Sequence, residues 1–169
     1  MRNCTQSESL IEHRRGEFLL STDPARLDVD FVYGFLTQSY WAKGISRELV
    51  ERSIENSLCL AVYTQGKQVA FARVISDFAT YAYIGDVFVI EAYRGNGLGK
   101  WMMECMRQHP RLQNLRRWTL LTRDAHGLYK QFGFTSLQKP ERYMEIRDPD
   151  VYARLQAEAD QGSSSGEAR

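Results

Sequence analysis

The sequence predicts an α/β chain of the α+β kind, built on a mixed, mostly antiparallel sheet with helices on its faces. Three observations support this class. Two amphipathic helical patterns lie between a short amino-terminal strand and a run of three strand patterns; the first two of those strands are separated by a turn of hairpin length; and a strand-helix-strand crossover follows, with a further helix and strand behind it. Strands joined by tight turns are antiparallel, whereas parallel neighbours need a crossover, so the two kinds of connection together demand a mixed sheet.

Taken in order, Glu17 to Ser21 is a short apolar run read as a strand. From Asp28 onward, Val29, Val32, Tyr33 and Leu36 recur at spacings of three and four, the period of a helix face. A second helix opens at Ser46, carries Glu48 and Glu51 in its first turns and Leu49, Val50 and Ile54 as its apolar stripe, and ends near Asn56. Leu58 to Tyr63 and Gln68 to Ser76 are rich in β-formers and are joined by Thr64-Gln65-Gly66-Lys67, a composition suited to a hairpin. Tyr81 to Val89 is a third such run. Leu98, Met102, Met103 and Met106 mark a helix to about Gln108, closed by Pro110 just beyond it. Trp118 to Thr122 reads as a strand, Ala125 to Phe132 as a helix stopped by Gly133, and Tyr143 to Arg147 as a last strand.

One core suffices for 169 residues with 43% hydrophobic content, and the sequence places a single domain over residues 17–156. Residues 1–16 and 157–169 are polar, lack apolar periodicity and read as flexible ends. Charge nearly cancels at a formal net +1, so no strong field recruits nucleic acid, and no apolar stretch is long enough to span a membrane. Cys4, Cys59 and Cys105 form no CxxC pair and no ligand spacing with His, so no metal site is expected. Scattered thiols and the lack of an apolar leader point to a cytoplasmic setting.

The chemistry concentrates in Arg94-Gly95-Asn96-Gly97-Leu98-Gly99-Lys100, which follows a strand and opens a helix. Several unpaired backbone N–H groups at a helix start point to one place, and that place favours an anion. Glycine permits close approach of a phosphate to the backbone and a positive φ, and Arg94 and Lys100 add positive charge. Spacing separates three phosphate-binding motifs. A Walker A loop would need Gly where Arg94 stands and Ser or Thr where Trp101 stands. A dinucleotide fingerprint would need Gly at Lys100.

What remains, R-G-x-G-x-G after Asp86-Val87-Phe88-Val89, resembles the pyrophosphate loop of the GNAT superfamily of acetyl-CoA-dependent N-acetyltransferases. Downstream, Ala125-His126-Gly127-Leu128-Tyr129-Lys130-Gln131-Phe132-Gly133-Phe134 is similar to that family's second signature, A-x-x-L-Y-x-x-x-G-F. With the element order, the two signatures cover most of residues 17–147. The resemblance implies helices on both faces of the sheet and the family's splayed parallel strands 4 and 5, here Tyr81 to Val89 and Trp118 to Thr122. It also implies acetyl-CoA as cofactor.

The same resemblance assigns cofactor contacts to Phe88, Val89, Arg94, Gly95, Asn96, Gly97, Leu98, Gly99, Lys100, Thr122, Ala125 and Tyr129. The backbone N–H of Val89 would stabilise an oxyanion, and Tyr129 would give a proton to the departing thiolate. Thr122 stands where many members have Asn. The position of the acid that serves as base in some members holds Tyr83. Asp86 is the one carboxylate within that strand; simple alternation puts it on the face opposite Tyr83, and a bulge would change the parity. Asp86 is carried as candidate base against a structural role. Asp77 reads as a turn residue and Asp124 as the N-cap of the Ala125 helix.

For the acceptor, the resemblance points to the segment joining the first two helices, Gln38 to Ile45, where Tyr40 and Trp41, with Tyr33 of the first helix, offer an aromatic wall; core packing explains the same residues. Arg73 interrupts an apolar strand and needs a partner or a ligand: Asp86, Asp77 or an acceptor carboxylate. The function expected is transfer of an acetyl group to a primary amine of a small molecule, with no nucleic-acid or membrane partner and a homodimer left open. A protein or peptide acceptor, or an acyl-CoA-binding sensor without turnover, stands as the alternative.

Overall fold

A computed structural model describes residues 10–164 of the chain. It divides into two compact units. The chain up to Asp28 together with Ile54–Thr135 forms one; Val29–Ser53 and the chain from Ser136 form the other. The sequence places a single domain over this stretch.

The first unit holds a six-stranded sheet in sequential order: β1 (Glu12–Arg15), β2 (Phe18–Ser21), β3 (Leu58–Thr64), β4 (Lys67–Ser76), β5 (Tyr81–Val89) and β6 (Arg117–Leu120). Neighbours are antiparallel except β5 and β6, which run parallel. β1 lies within the amino-terminal stretch expected to be flexible; pairing with β2 from Glu12↔Ser21 to Arg15↔Phe18 orders it despite its four exposed side chains, because a ladder needs backbone partners and not apolar ones. The flexibility expected of residues 1–9 and 165–169 lies outside the described residues. β3 and β4 turn as expected: Thr64 faces Lys67, and Gln65 and Gly66 both take positive φ, +49° and +75°, as a tight two-residue hairpin turn requires.

α3 (Leu98–Gln108) lays Leu98, Trp101, Met102, Cys105 and Met106 at helical spacing onto a core with Leu60, Val62, Ala72, Val74, Ala82 and Ile84. Fully burying one such large side chain is worth roughly 1.5–3 kcal/mol, so this single face anchors the helix against the sheet. α4 (His126–Lys130) adds Tyr129 to the same cluster. β5 pairs with β6 only from Tyr81↔Arg117 to Ile84↔Leu120, so the half of β5 from Gly85 onward has no neighbour on that side. The two parallel strands part there.

The second unit contains α1 (Val29–Leu36), α2 (Arg47–Glu55) up to Ser53, and α5 (Val151–Ser164). Val32 and Leu36 are buried on α1 and Val50 on α2, and Ser46 accepts from the Leu49 N–H at 3.3 Å as the predicted cap. Two expectations fail here. The last strand expected at Tyr143 to Arg147 does not form: Met144 and Ile146 are fully exposed, and β-formers without a ladder partner are not a strand. The tail expected to be flexible from Ala157 continues α5 to Ser164. Its first turns hold Ala153, Leu155, Gln156, Ala157 and Glu158, strong helix formers, and Asp148 before it takes the Arg154 guanidinium at 2.6 Å. Intrinsic propensity replaces the missing apolar stripe.

No described helix is long and apolar enough to cross a membrane, and no group of three or more His, Cys, Asp or Glu among the described residues could hold a metal ion.

Candidate active site

The glycine loop sits where β5 gives way to α3. Gly95 and Gly97 have φ of +82° and +71°, and Gly97 is the N-cap of α3 without a side-chain cap bond. The first helical bond is Trp101 N–H to Gly97 O at 2.9 Å, which leaves the amides of Leu98, Gly99 and Lys100 without an intrahelical acceptor. A Cβ at Gly95 or Gly97 would meet no heavy atom within 4 Å, so the loop borders open space. Amides, a helix start with no acidic residue in its first turn, and the exposed Arg94 and Lys100 together fit a pyrophosphate. Two bonds hold the loop in shape: Arg94 Nε to Val89 O at 3.1 Å and Asn96 Nδ2 to Tyr93 O at 3.0 Å.

β5 carries a bulge. Phe88 faces Phe71 and Gly85 faces Arg73, so Ala72 alone on β4 spans the two residues Asp86 and Val87 on β5. Asp86 takes φ +53°, a left-handed conformation rare outside glycine. The extra residue reverses the parity. Ala82 and Ile84 face the core before it, and Val87 and Val89 pack against that core after it. Asp86 therefore lies with Tyr83 and Arg73 on the opposite face, where alternation alone would not put it. Beyond the bulge, Ile90 N–H donates to Val69 O at 3.1 Å, which makes Val89 and Ala70 a non-hydrogen-bonded pair. The amide and carbonyl of Val89 thus turn away from β4, toward the opening left by β6. Phe88 points the other way, its ring 5.9 Å from that of Phe71, with its backbone in register with β4.

On the Asp86 face, Arg73 Nε is ion-paired to Asp86 Oδ2, with the side chains only 18% and 11% exposed. Arg73 Nη1 also donates to Ser57 Oγ at 3.1 Å. Arg73 thus pairs with Asp86 rather than Asp77, whose carboxylate accepts from the N–H groups of Ala79, Thr80 and Tyr81 and from the Thr80 hydroxyl, and is lowered well below the usual range by those bonds. Burial raises the Tyr83 phenol above its ordinary value, and the charge of Asp86 adds to it. Cys59, opposite Arg73 across the hairpin, is buried, and desolvation pushes its thiol to about 12. Sequence reasoning missed Ser57 and Cys59; the hairpin register that places Cys59 beside Arg73 was the available signal.

Tyr129 is buried in the core cluster, its ring 5.9 Å from Phe134 in an edge-on arrangement. Thr122 Oγ1 accepts from the Ala125 N–H at 3.0 Å, so Thr122 shapes the turn into α4. Asp124 does not cap that helix: Ala125 is the N-cap, and Asp124 is exposed beside Arg123. The threonine two residues earlier reaches the amide instead. His126 is exposed. In the second unit, Tyr40 and Trp41 pack edge-on at 4.9 Å, with Phe35 6.2 Å from Trp41; both remain exposed, while Tyr33 is half-buried on α1.

Comparison with known proteins bears on this loop and strand. The family model for the acetyltransferase (GNAT) domain matches residues 55–136. A candidate acetyltransferase of Gibberella zeae is 30% identical over 138 residues, covering 68% of this chain and 77% of that protein. The crystal structure of a candidate GNAT-family acetyltransferase from Xanthomonas campestris pv. campestris is 48% identical, with a TM-score of 0.79 over 80% of this chain and 96% of that one. A candidate acetyltransferase of Clostridium acetobutylicum, solved with acetyl-CoA, shares the fold at 16% identity and a TM-score of 0.58, over 77% of this chain and 94% of that one. The chain belongs to the GNAT family of acetyltransferases.

Proposed function

We propose that the chain transfers the acetyl group of acetyl-CoA to a primary amine of a small molecule. The observation that carries this reading is the junction of β5 and α3. There the amides of the helix start converge on one open spot, and Val89, just before the loop, turns its own amide into the opening between β5 and β6. The loop from Arg94 to Lys100 would hold the pyrophosphate, and the Val89 side of β5 the pantetheine arm. A backbone N–H aimed at the thioester oxygen is worth about 3 kcal/mol when charge develops there.

The amine nitrogen attacks the thioester carbon, the carbon-sulfur bond breaks, and sulfur leaves with the electron pair and takes a proton, while the nitrogen gives up one proton to solvent, which returns the donor's proton and closes the balance. Tyr129 is assigned as the donor to sulfur, since a phenol stays protonated at neutral pH and can pass its proton to a departing thiolate. Thr122 and Ala125 hold the turn that positions the Tyr129 helix. With its phenol raised by burial, Tyr83 acts as a hydrogen-bond donor and not as a base at neutral pH. The acceptor enters as its free base, a fraction of roughly 1 in 2,500 at pH 7 for an alkylamine of pKa about 10.4.

Release of free CoA, followed over a panel of alkylamines, arylamines, amino acids and peptides, tests the reading. Turnover with small amines is expected. Turnover with peptides alone would move the acceptor to a protein, and binding of acetyl-CoA without release across the panel would make the chain a sensor.

A further inference from the structure

We propose that Arg73 is a positioning residue, whose ion pair with Asp86 clamps the β5 bulge that aims the Val89 amide, and that Asp86 is the anchor of this clamp and not the base. The inference rests on the proposed acetyl transfer for its kinetic consequence and on the fold alone for its structural one.

The bulge is where β5 would slip if nothing held it. An extra residue leaves the ladder locally unpaired, and a non-glycine residue at φ +53° is strained relative to an extended one. Removing the extra residue's bend would restore simple alternation and reverse every side chain and amide beyond it, Val89 included. One side chain from the neighbouring strand opposes this directly at the bulge. Arg73 faces Gly85 across the ladder, immediately before the bulge. A Cβ on Gly85 would lie 3.9 Å from Arg73 Nη2 and 3.3 Å from the Tyr83 ring, so the guanidinium passes close over this glycine to reach Asp86. Its other arm is fixed on Ser57 just before β3. The clamp thus ties three segments, the approach to β3, β4 and the bulge, with charges largely removed from water. A pair so buried gains little from pairing alone but is costly to break on one side, which suits a device that selects one backbone register over another.

A carboxylate committed in this way is an unsuitable acceptor for the proton of an incoming amine. Glycine at position 86 would tolerate the same φ without strain, and the freed Arg73 keeps Ser57 and some access to water. The clamp therefore predicts an order that a catalytic carboxylate does not.

The test compares Asp86→Gly, Asp86→Ala, Arg73→Met and the double variant Arg73→Met/Asp86→Gly in the full chain, reading kcat and KM for a turned-over amine, acetyl-CoA affinity and Tm. Asp86→Gly should keep kcat within a few-fold of the parent. Asp86→Ala should lose tenfold or more, because alanine resists the left-handed bend. Arg73→Met should lose at least as much, and adding Asp86→Gly should restore most of it. Loss with Asp86→Gly equal to that with Asp86→Ala would make Asp86 catalytic and overturn the proposal. An unrescued double variant with KM for the amine raised and kcat kept would assign Arg73 to the acceptor and overturn it equally. If the parent turns over no amine, the acetyl-transfer reading fails, and the Tm order decides the clamp by itself: Asp86→Gly above Asp86→Ala and the double variant above Arg73→Met uphold it, and either order reversed refutes it.

Discussion

Replacing Gly97 by alanine separates the binding role of the glycine loop from its folding role, because the structure supplies a matched control. Gly97 and Gly66 have nearly the same φ, +71° and +75°, and a Cβ at either meets no heavy atom within 4 Å. Gly66 sits in the β3–β4 hairpin turn and Gly97 at the start of α3. An L-residue forced into the left-handed region costs about 1–2 kcal/mol, with no clash to add to it here. At about 2–4 °C per kcal/mol for a chain of this size, each variant should lose roughly 2–8 °C in Tm. Only Gly97→Ala places a methyl group among the converging amides. Losing one charge-assisted amide-phosphate bond costs about 1.5–3 kcal/mol, so calorimetric titration should find acetyl-CoA binding weakened about ten- to a hundredfold for Gly97→Ala and unchanged for Gly66→Ala. Equal affinities for the two variants, at equal loss of Tm, would refute the loop as the pyrophosphate cradle.

Three further outcomes follow from the site. Tyr129→Phe keeps the ring packed on Phe134 and should lower kcat about a hundredfold or more with acetyl-CoA affinity within twofold, as pre-steady-state and titration measurements would show; an unchanged kcat removes the phenol from proton transfer. With no side-chain base, kcat/KM for an alkylamine should rise close to tenfold per pH unit between about pH 7 and 9, tracking the free-base fraction, whereas a plateau well below the amine's own pKa would require an enzyme base. Alkali should destabilise the fold through its buried thiols: desolvation raises Cys59 from 9.0 to about 12 and Cys105 to about 11. Both would release their protons near pH 9 only once unfolded. Their contribution is thus complete below about pH 9 and is lost as pH rises through 11 to 12, at about 1.4 kcal/mol per pH unit for each thiol while only the unfolded form is ionised. Denaturant midpoints measured from pH 8 to 11 in a Cys59→Ala variant should fall less steeply than in the parent.

The features legible in the sequence are those whose causes are local. Thr64-Gln65-Gly66-Lys67 announces its own turn by its length and by Gly66, which takes positive φ freely, although Gln65 takes one as well. The spacing of Arg94 to Lys100 excludes two nucleotide loops by single positions, and the Met-rich face of α3 follows from helical period alone. Features that depend on partners were not legible. The face of Asp86 turns on one extra residue in β5, and nothing in Tyr81 to Val89 marks where a bulge enters until β4 is laid beside it. Thr122 and Asp124 are both ordinary cap residues, and backbone geometry alone gives the bond to Thr122. Tyr143 to Arg147 has the composition of a strand but finds no edge among the described residues, while α5 has the propensity of a helix without the stripe that periodicity detects. The partner of Arg73 could be narrowed to a carboxylate by the cost of burying a lone charge, and only the bulge made it Asp86.

The most direct measurement of the central claim is an amide-resolved NMR titration of the labelled chain with acetyl-CoA. Binding at the start of α3 predicts the largest shifts at Val89 and across Gly95 to Lys100, with saturation at one equivalent. Unmoved amides there, or shifts gathered instead at the cleft lined by Arg14, Arg26 and Gly66 near the β3–β4 turn, would contradict it.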